Sequence, residues 1–171
     1  VLPGILAGTY AVVPLPTLDV EYGTSRAIAI NDVVAASSTV GRMVKLDWWV
    51  GGEPLGSQAC DGIICATPPG STAYNLSNGG PVLAWGLDAM AVTFIAPHSL
   101  HTRSLVIPRG LDVEIENATD DVEALIIGDG HTLGEIPPRG RVVVRLGDER
   151  GLIATRTRTA FFRRYRETFG S

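Results

Sequence analysis

Hydrophobic and polar residues alternate with a period of two along much of the chain. Leu18, Val20 and Tyr22 alternate with Asp19 and Glu21, and Val44, Leu46, Trp48 and Val50 with Lys45, Asp47 and Trp49. Leu111, Val113 and Ile115 alternate with Asp112, Glu114 and Glu116, and Thr155, Thr157 and Thr159 with Arg156 and Arg158. Each run predicts a half-buried strand. The segments 26–37, 62–66, 91–96, 124–127 and 142–146 are apolar or β-branched enough to predict further strands. Turn signals separate them at Gly51-Gly52, Pro108-Arg109-Gly110, Asn117-Ala118-Thr119-Asp120, Pro137-Pro138-Arg139-Gly140 and Gly147-Asp148. Short strands at this spacing predict a mainly β, sandwich- or barrel-like body. Trp48 and Trp49, adjacent on one strand, face opposite sides, which predicts one ring in the core and the other at a subunit or domain interface.

Two segments break the alternation. Ser71–Asn78 follows a Pro-Pro-Gly turn and ends at Gly79-Gly80, which predicts a short helix with Ser71 as its N-cap. Phe161, Phe162, Tyr165 and Phe169 are spaced by three and four, which predicts a C-terminal amphipathic helix.

Composition narrows the class. With 171 residues, 45% of them hydrophobic, the chain is one domain's worth with a sizeable core, and disorder is excluded. No apolar run reaches the ~18 residues of a membrane span. Two cysteines do not make a disulfide scaffold, and Cys60 and Cys65, five apart, would face opposite sides of one strand, which disfavours a bridge or a shared metal. Thiols without a bridge suit a reducing, cytoplasmic location. The chain starts with Val, as expected of a processed chain, a non-standard start or a fragment, and Val1–Pro16 lacks the charged segment of a signal peptide. The net charge of −4 is unevenly spread: from Arg150 onward there are six Arg and one acid. That basic end predicts a solvated face pairing with the acidic half or another subunit, in preference to a nucleic-acid surface.

The segment with chemical content is Asp61-Gly62-Ile63-Ile64-Cys65-Ala66-Thr67-Pro68-Pro69-Gly70-Ser71-Thr72-Ala73-Tyr74, followed by Asn75-Leu76-Ser77-Asn78-Gly79-Gly80-Pro81. An acid opens a buried strand, and a rigid turn delivers a helix start. Amides at a helix start favour an anion such as a diphosphate. Ser71 and Thr72 offer hydroxyls, and Tyr74 a ring on which a planar group can stack. The expected ligand is nucleotide-like. His98 and His101 are three apart but on a loop-like segment without a thiolate partner, so no metal site is expected there or at His131. A serine hydrolase is disfavoured because G-x-S-x-G is missing.

The string TPPGSTAY, with its upstream DG and downstream SNGGP, resembles the signature of the ATP- or polyphosphate-dependent NAD kinases. The resemblance continues in order along the chain. Ala29-Ile30-Asn31-Asp32-Val33 resembles that family's Asn-Glu motif, and Ala96-Pro97-His98-Ser99-Leu100 with Arg103 its PHSL segment. Asp129-Gly130 stands at its late Asp-Gly, and Phe161-Phe162 at its C-terminal helix.

The resemblance implies that residues 1–171 form the all-β, NAD-binding C-terminal domain of a two-domain fold. The α/β N-terminal domain carrying the catalytic GGDG is not within them, so no catalytic residue is expected in this chain. It further implies that Asn31 and Asp32 bind the adenosine part of NAD and that Thr72 and Ala73 line the adenine pocket. Tyr74 and Ser77 would lie on the nicotinamide side, with Asp61 reaching the nicotinamide portion from a neighbouring subunit. The implied reaction is phosphoryl transfer from ATP or polyphosphate to the adenosine 2′-hydroxyl of NAD, with Mg or another divalent metal accompanying ATP. The implied assembly is a cytoplasmic homo-oligomer, a dimer or tetramer, without nucleic-acid or membrane partners. Pro69 stands for the usual Thr or Ser and Asp32 for the usual Glu. The alternatives are a non-catalytic nucleotide-binding or oligomerisation module, or the β domain of a related lipid kinase, although lipid relatives lack the full TPxGSTAY string.

Overall fold

The computed structural model describes residues 2–155 and 160–170. Its strands are β1 (Ala11–Tyr22), β2 (Ser25–Ala29), β3 (Asp32–Ser37), β4 (Val44–Val50), β5 (Glu53–Cys60) and β6 (Gly62–Ala66). They continue as β7 (Ala89–Ile95), β8 (Leu105–Pro108), β9 (Val113–Asn117), β10 (Ala124–Gly128), β11 (His131–Ile136) and β12 (Arg141–Thr155). Helices are α1 (Leu2–Leu6), α2 (Tyr74–Ser77), preceded by a 3-10 turn at Gly70–Thr72, and α3 (Ala160–Phe169). Two six-stranded sheets result, in the orders β2-β1-β12-β9-β4-β5 and β11-β10-β3-β6-β7-β8. Every neighbouring pair is antiparallel. The expected mainly β, sandwich-like fold is therefore present, with both the short helix after the TPPGSTAY loop and the C-terminal helix.

The main core lies between the sheets. Leu18, Val20, Leu46 and Val144 from the first sheet meet Val33, Ile63, Met90 and Ile126 from the second. Trp48 meets Phe94 across the layers edge-on, at 5.3 Å between centroids and 79° between planes, a geometry that adds about 0.5–1.5 kcal/mol to simple burial. Trp49 points outward, and the Arg141 guanidinium lies 4.7 Å from its ring centroid. The core half of the paired-tryptophan expectation is thus met by Trp48.

Several local readings change. The segment 26–37 is not one strand: β2 pairs with β1, β3 pairs with β6 and β10, and Ile30-Asn31 carries the chain from one sheet to the other. Gly147-Asp148 is not a turn between strands. β12 runs through it, and the register with β1 jumps from Leu18↔Leu146 to Pro16↔Arg150, a bulge that absorbs the extra residues. A methyl at Gly147 would crowd the Thr17 and Asp19 side chains. Pro14 and Pro16 are tolerated because that part of β1 pairs only with β12, so their missing N–H groups face an open edge. Cys60 ends β5 and Cys65 lies in β6, so they occupy strands of different sheets; both are free and both enter the shared core. Burial pushes both thiols up to about 12, which leaves neither as a nucleophile near neutral pH. Of the predicted alternation at 155–159, Thr155 ends β12 and the rest lies outside the described residues. Among the described residues no helix is long and apolar enough to cross a membrane.

Candidate functional site

Three adjacent strand ends of the second sheet build the site. β3 begins at Asp32, which pairs with Ala66 at the end of β6, and Val33 pairs with Gly128 at the end of β10. Antiparallel order therefore brings the 30–32 crossover, the Thr67–Tyr74 turn and the Asp129-Gly130 turn to one rim. Between them opens a cleft of about 410 Å³, within the size range of small-ligand sites. Val34, Ala36 and Ile127 form an apolar floor, Ala73 and Tyr74 one wall, and Asn31, Asp32, Asp129 and Gly130 the polar rim. The floor exists because this outer sheet face carries a second apolar cluster around Val34, Ile64 and Ala66.

The turn after β6 is held from within. Buried Thr67 accepts the Gly70 amide at 3.2 Å, and its hydroxyl is shared between the Ile30 and Asn31 carbonyls at 2.7 and 3.1 Å. Its own amide donates to Asn31 O at 2.9 Å. A methyl group at Gly70 would overlap the Asn31 carbonyl, so only glycine lets the turn lie against the crossover. Ser71 is not an N-cap. It sits inside the 3-10 turn, fully buried, donates to Pro68 O at 2.7 Å and accepts the Leu83 amide at 2.9 Å. Pro69 holds the cap position with φ −58°, which the ring supplies without a hydroxyl. The Ser71 and Ala73 amides donate to Thr67 O and Gly70 O. Internal partners thus take up the groups expected to cradle an anion, and α2 spans only four residues.

Asn75 and the Gly79-Gly80 pair brace the same turn. The Asn75 Nδ2 group donates to Ser71 O and Pro81 O, each at 3.0 Å, and Oδ1 accepts from Thr93 Oγ1 at 2.8 Å. A Cβ at Gly80 would run into that amide. These motif residues fix shape and do not face the cleft.

Of the expected site residues, the structure brings Asn31, Asp32, Ala73 and Tyr74 together. Asn31 is exposed and its side chain has no hydrogen-bond partner among the described residues. Tyr74 is 45% exposed, with an open face. Asp32 is buried, and burial, with the Asp129 carboxylate beside it, raises its pKa above the ordinary value. Thr72 is exposed just outside the cleft and donates to Pro69 O at 3.1 Å. Ser77, at the end of α2, is exposed and does not line the cleft. Asp61 precedes β6 at the opposite end of the sheet, roughly 16 Å of strand from the rim.

Asp129 is the rim residue that the site expectations omit. Gly128-Asp129-Gly130 joins β10 to β11 in a two-residue hairpin, with φ +48° at Asp129 and +80° at Gly130. Positive φ at both positions is the type I′ geometry that Asp-Gly favours. Sequence signals the turn, but not that its carboxylate reaches a loop almost a hundred residues earlier. Among the described residues no group of three or more His, Cys, Asp or Glu could hold a metal ion.

The family model for the ATP-NAD kinase C-terminal domain matches residues 30–155. An NAD kinase of Lachnoclostridium phytofermentans is 34% identical over 146 residues, covering 83% of this chain and 51% of that protein. One from Ralstonia nicotianae is 39% identical over 150 residues, covering 85% and 49%. The chain thus spans about half the length of these relatives. Two solved structures share its fold at 23% identity. A yeast NADH kinase complexed with NADH superposes with a TM-score of 0.84 over 99% of this chain and 51% of that one. An NAD kinase from Archaeoglobus fulgidus in complex with ATP does so with a TM-score of 0.80, over 99% and 63%. The domain match spans the crossover, the Thr67–Tyr74 turn and the Asp129 hairpin that build the cleft, and the chain belongs to the NAD kinase family.

Proposed function

We propose that residues 1–171 are the NAD-binding, all-β half of an NAD kinase, the enzyme that moves a phosphoryl group from ATP or polyphosphate to the adenosine 2′-hydroxyl of NAD. The observation that carries the reading is the cleft itself. Asn31 and Asp32, from the sheet crossover, face Ala73 and Tyr74, from the signature turn, across an apolar floor. A flat ring can lie against Tyr74 and the floor while its polar edge meets the free Asn31 amide and the Asp32 carboxylate. The relatives named NAD kinase, and the solved kinases complexed with NADH and with ATP, support the same assignment.

Catalysis needs more than this cleft. Neither glycine-flanked acidic segment of the chain replaces a GGDG. Gly51-Gly52 closes the β4–β5 hairpin, and the Asp129 carboxylate is already engaged by backbone amides. Phosphoryl transfer depends on positioning and on neutralising charge, and general-base help alone is worth roughly 10²–10⁴-fold. The 171-residue chain alone is expected to form little or no NADP. A divalent metal would accompany the phosphates of ATP.

In this reading the protein works as a cytoplasmic homo-oligomer. Asp61, remote from its own cleft, would serve a neighbouring subunit. The outward-facing Trp49 and the exposed aromatic residues of α3, Phe162, Tyr165 and Phe169, are surfaces on which a second copy or domain can pack. Coupled-enzyme assay of NADP formation, with light scattering at tens of micromolar, tests this reading. Kinase-level turnover by the 171-residue chain, or a strict monomer, would contradict it.

A further inference from the structure

The Asp129 carboxylate accepts three consecutive backbone amides from the crossover. Oδ2 takes the Ile30 N–H at 2.7 Å, and Oδ1 takes those of Asn31 at 2.7 Å and Asp32 at 3.2 Å. The Asp129 amide returns a bond to Asp32 O at 3.0 Å. The Ile30 and Asn31 amides leave one sheet before the next begins and the Asp32 amide opens β3, and all three take their acceptor from the hairpin. One carboxylate answers all three, and ionised acceptors make the stronger bonds. On the opposite side Thr67 holds the Ile30 and Asn31 carbonyls. The peptide groups presenting Asn31 and Asp32 are thus gripped from both sides.

We propose that Asp129 is a positioning residue for ligand binding: its carboxylate, and not the turn it occupies, sets the conformation in which Asn31 and Asp32 face the cleft. This rests on the reading that the cleft binds NAD. The two roles of Asp129 can be separated, because Asn-Gly suits a type I′ turn as well as Asp-Gly does. Asp129→Asn keeps the hairpin but exchanges one accepting oxygen for an NH₂ group that cannot accept, and removes the charge.

The test is NMR on the 171-residue chain, wild type and Asp129→Asn, titrated with NAD. In the variant, the Ile30 and Asn31 amides should lose hydrogen-exchange protection and shift upfield, while Ile127 and Thr132 stay protected and report an intact hairpin. NAD affinity should fall about tenfold, the scale of one lost charge-assisted bond. A residue needed only for its turn would show none of this. Unchanged amides at 30–31, or wild-type affinity in the variant, overturns the proposal. If wild-type protein shows the protected amides yet binds no NAD at the cleft, the functional reading itself is overturned, and the ligand role of Asp129 falls with it.

Discussion

Asn31 and Asp129 are 98 residues apart in sequence, yet the backbone amide of Asn31 donates to Asp129 Oδ1 at 2.7 Å. That bond joins the sheet crossover to the β10–β11 hairpin and gives the cleft a rim made from two distant segments. The other wall, from Thr67 to Tyr74, is tied to the same crossover through Thr67. Stability and ligand contact therefore share residues here, and variants separate them in the following ways.

Gly70 should be intolerant of any side chain. A Cβ there would overlap the Asn31 carbonyl, a backbone atom that cannot swing aside. Gly70→Ala is expected to cost about 3 kcal/mol, at the upper end for overpacking, and to weaken ligand binding by moving the crossover. Urea denaturation should show a lower midpoint with an unchanged slope.

Asp32 should make stability fall as pH rises. Its folded-state pKa lies above the unfolded value of 3.8, through burial first and the nearby Asp129 charge second. The folded protein therefore holds the proton more tightly, and stability declines with rising pH from near the unfolded pKa up through the raised folded one. Asp32→Asn removes that dependence. Melting temperatures of the two proteins should diverge across this window in favour of the variant, with the gap constant above it.

Asp88 and Arg109 should matter through the carbonyls they leave behind. Arg109 donates to Asp88 at 2.6 and 3.0 Å, and also to Leu146 O and Gly147 O at the β12 bulge, at 3.0 and 3.1 Å. It thereby pins the start of β7 to the first sheet. Asp88 is held below the usual carboxylate range, chiefly by its hydrogen bond to Arg109. Because the pair is partly exposed, salt screens the charge component. Arg109→Ala is expected to destabilise by about 1–2 kcal/mol, mainly from the uncapped carbonyls, whereas Asp88→Asn should cost less, and less still in high salt. Chemical denaturation at two ionic strengths checks both.

Much of this was legible in sequence for a physical reason. Alternation reports which face of a strand is buried, so β4, β9 and the inner part of β1 follow from it directly. Exposed edge strands such as β5 carry no such pattern, with five successive exposed residues from Glu53 to Ser57. Apolar content across 26–37 could not show that the chain changes sheets at Ile30-Asn31, because residues on both sides are equally strand-like. The motif resemblance located Asn31, Asp32, Ala73 and Tyr74. It did not distinguish cleft-facing residues from those that brace the turn, and Ser71 and Asn75 proved to be braces. Asp129 was visible only as part of a late Asp-Gly pair, because its partner is 97 to 99 residues away and long-range hydrogen bonds leave no local signature.

The most direct test is a ligand-observed NMR titration of NAD against the wild-type chain and an Asn31→Ala, Tyr74→Ala double variant. One wall supplies stacking and one rim supplies polar contact, so wild-type affinity should be weak, with Kd on the order of millimolar, near −4 kcal/mol. Removing the Asn31 amide should cost roughly 1–3 kcal/mol, and the lost Tyr74 face more, so saturation transfer to NAD should vanish in the double variant. Equal binding by both proteins would contradict the account: NAD would then bind elsewhere, and the cleft would be a feature of the fold alone.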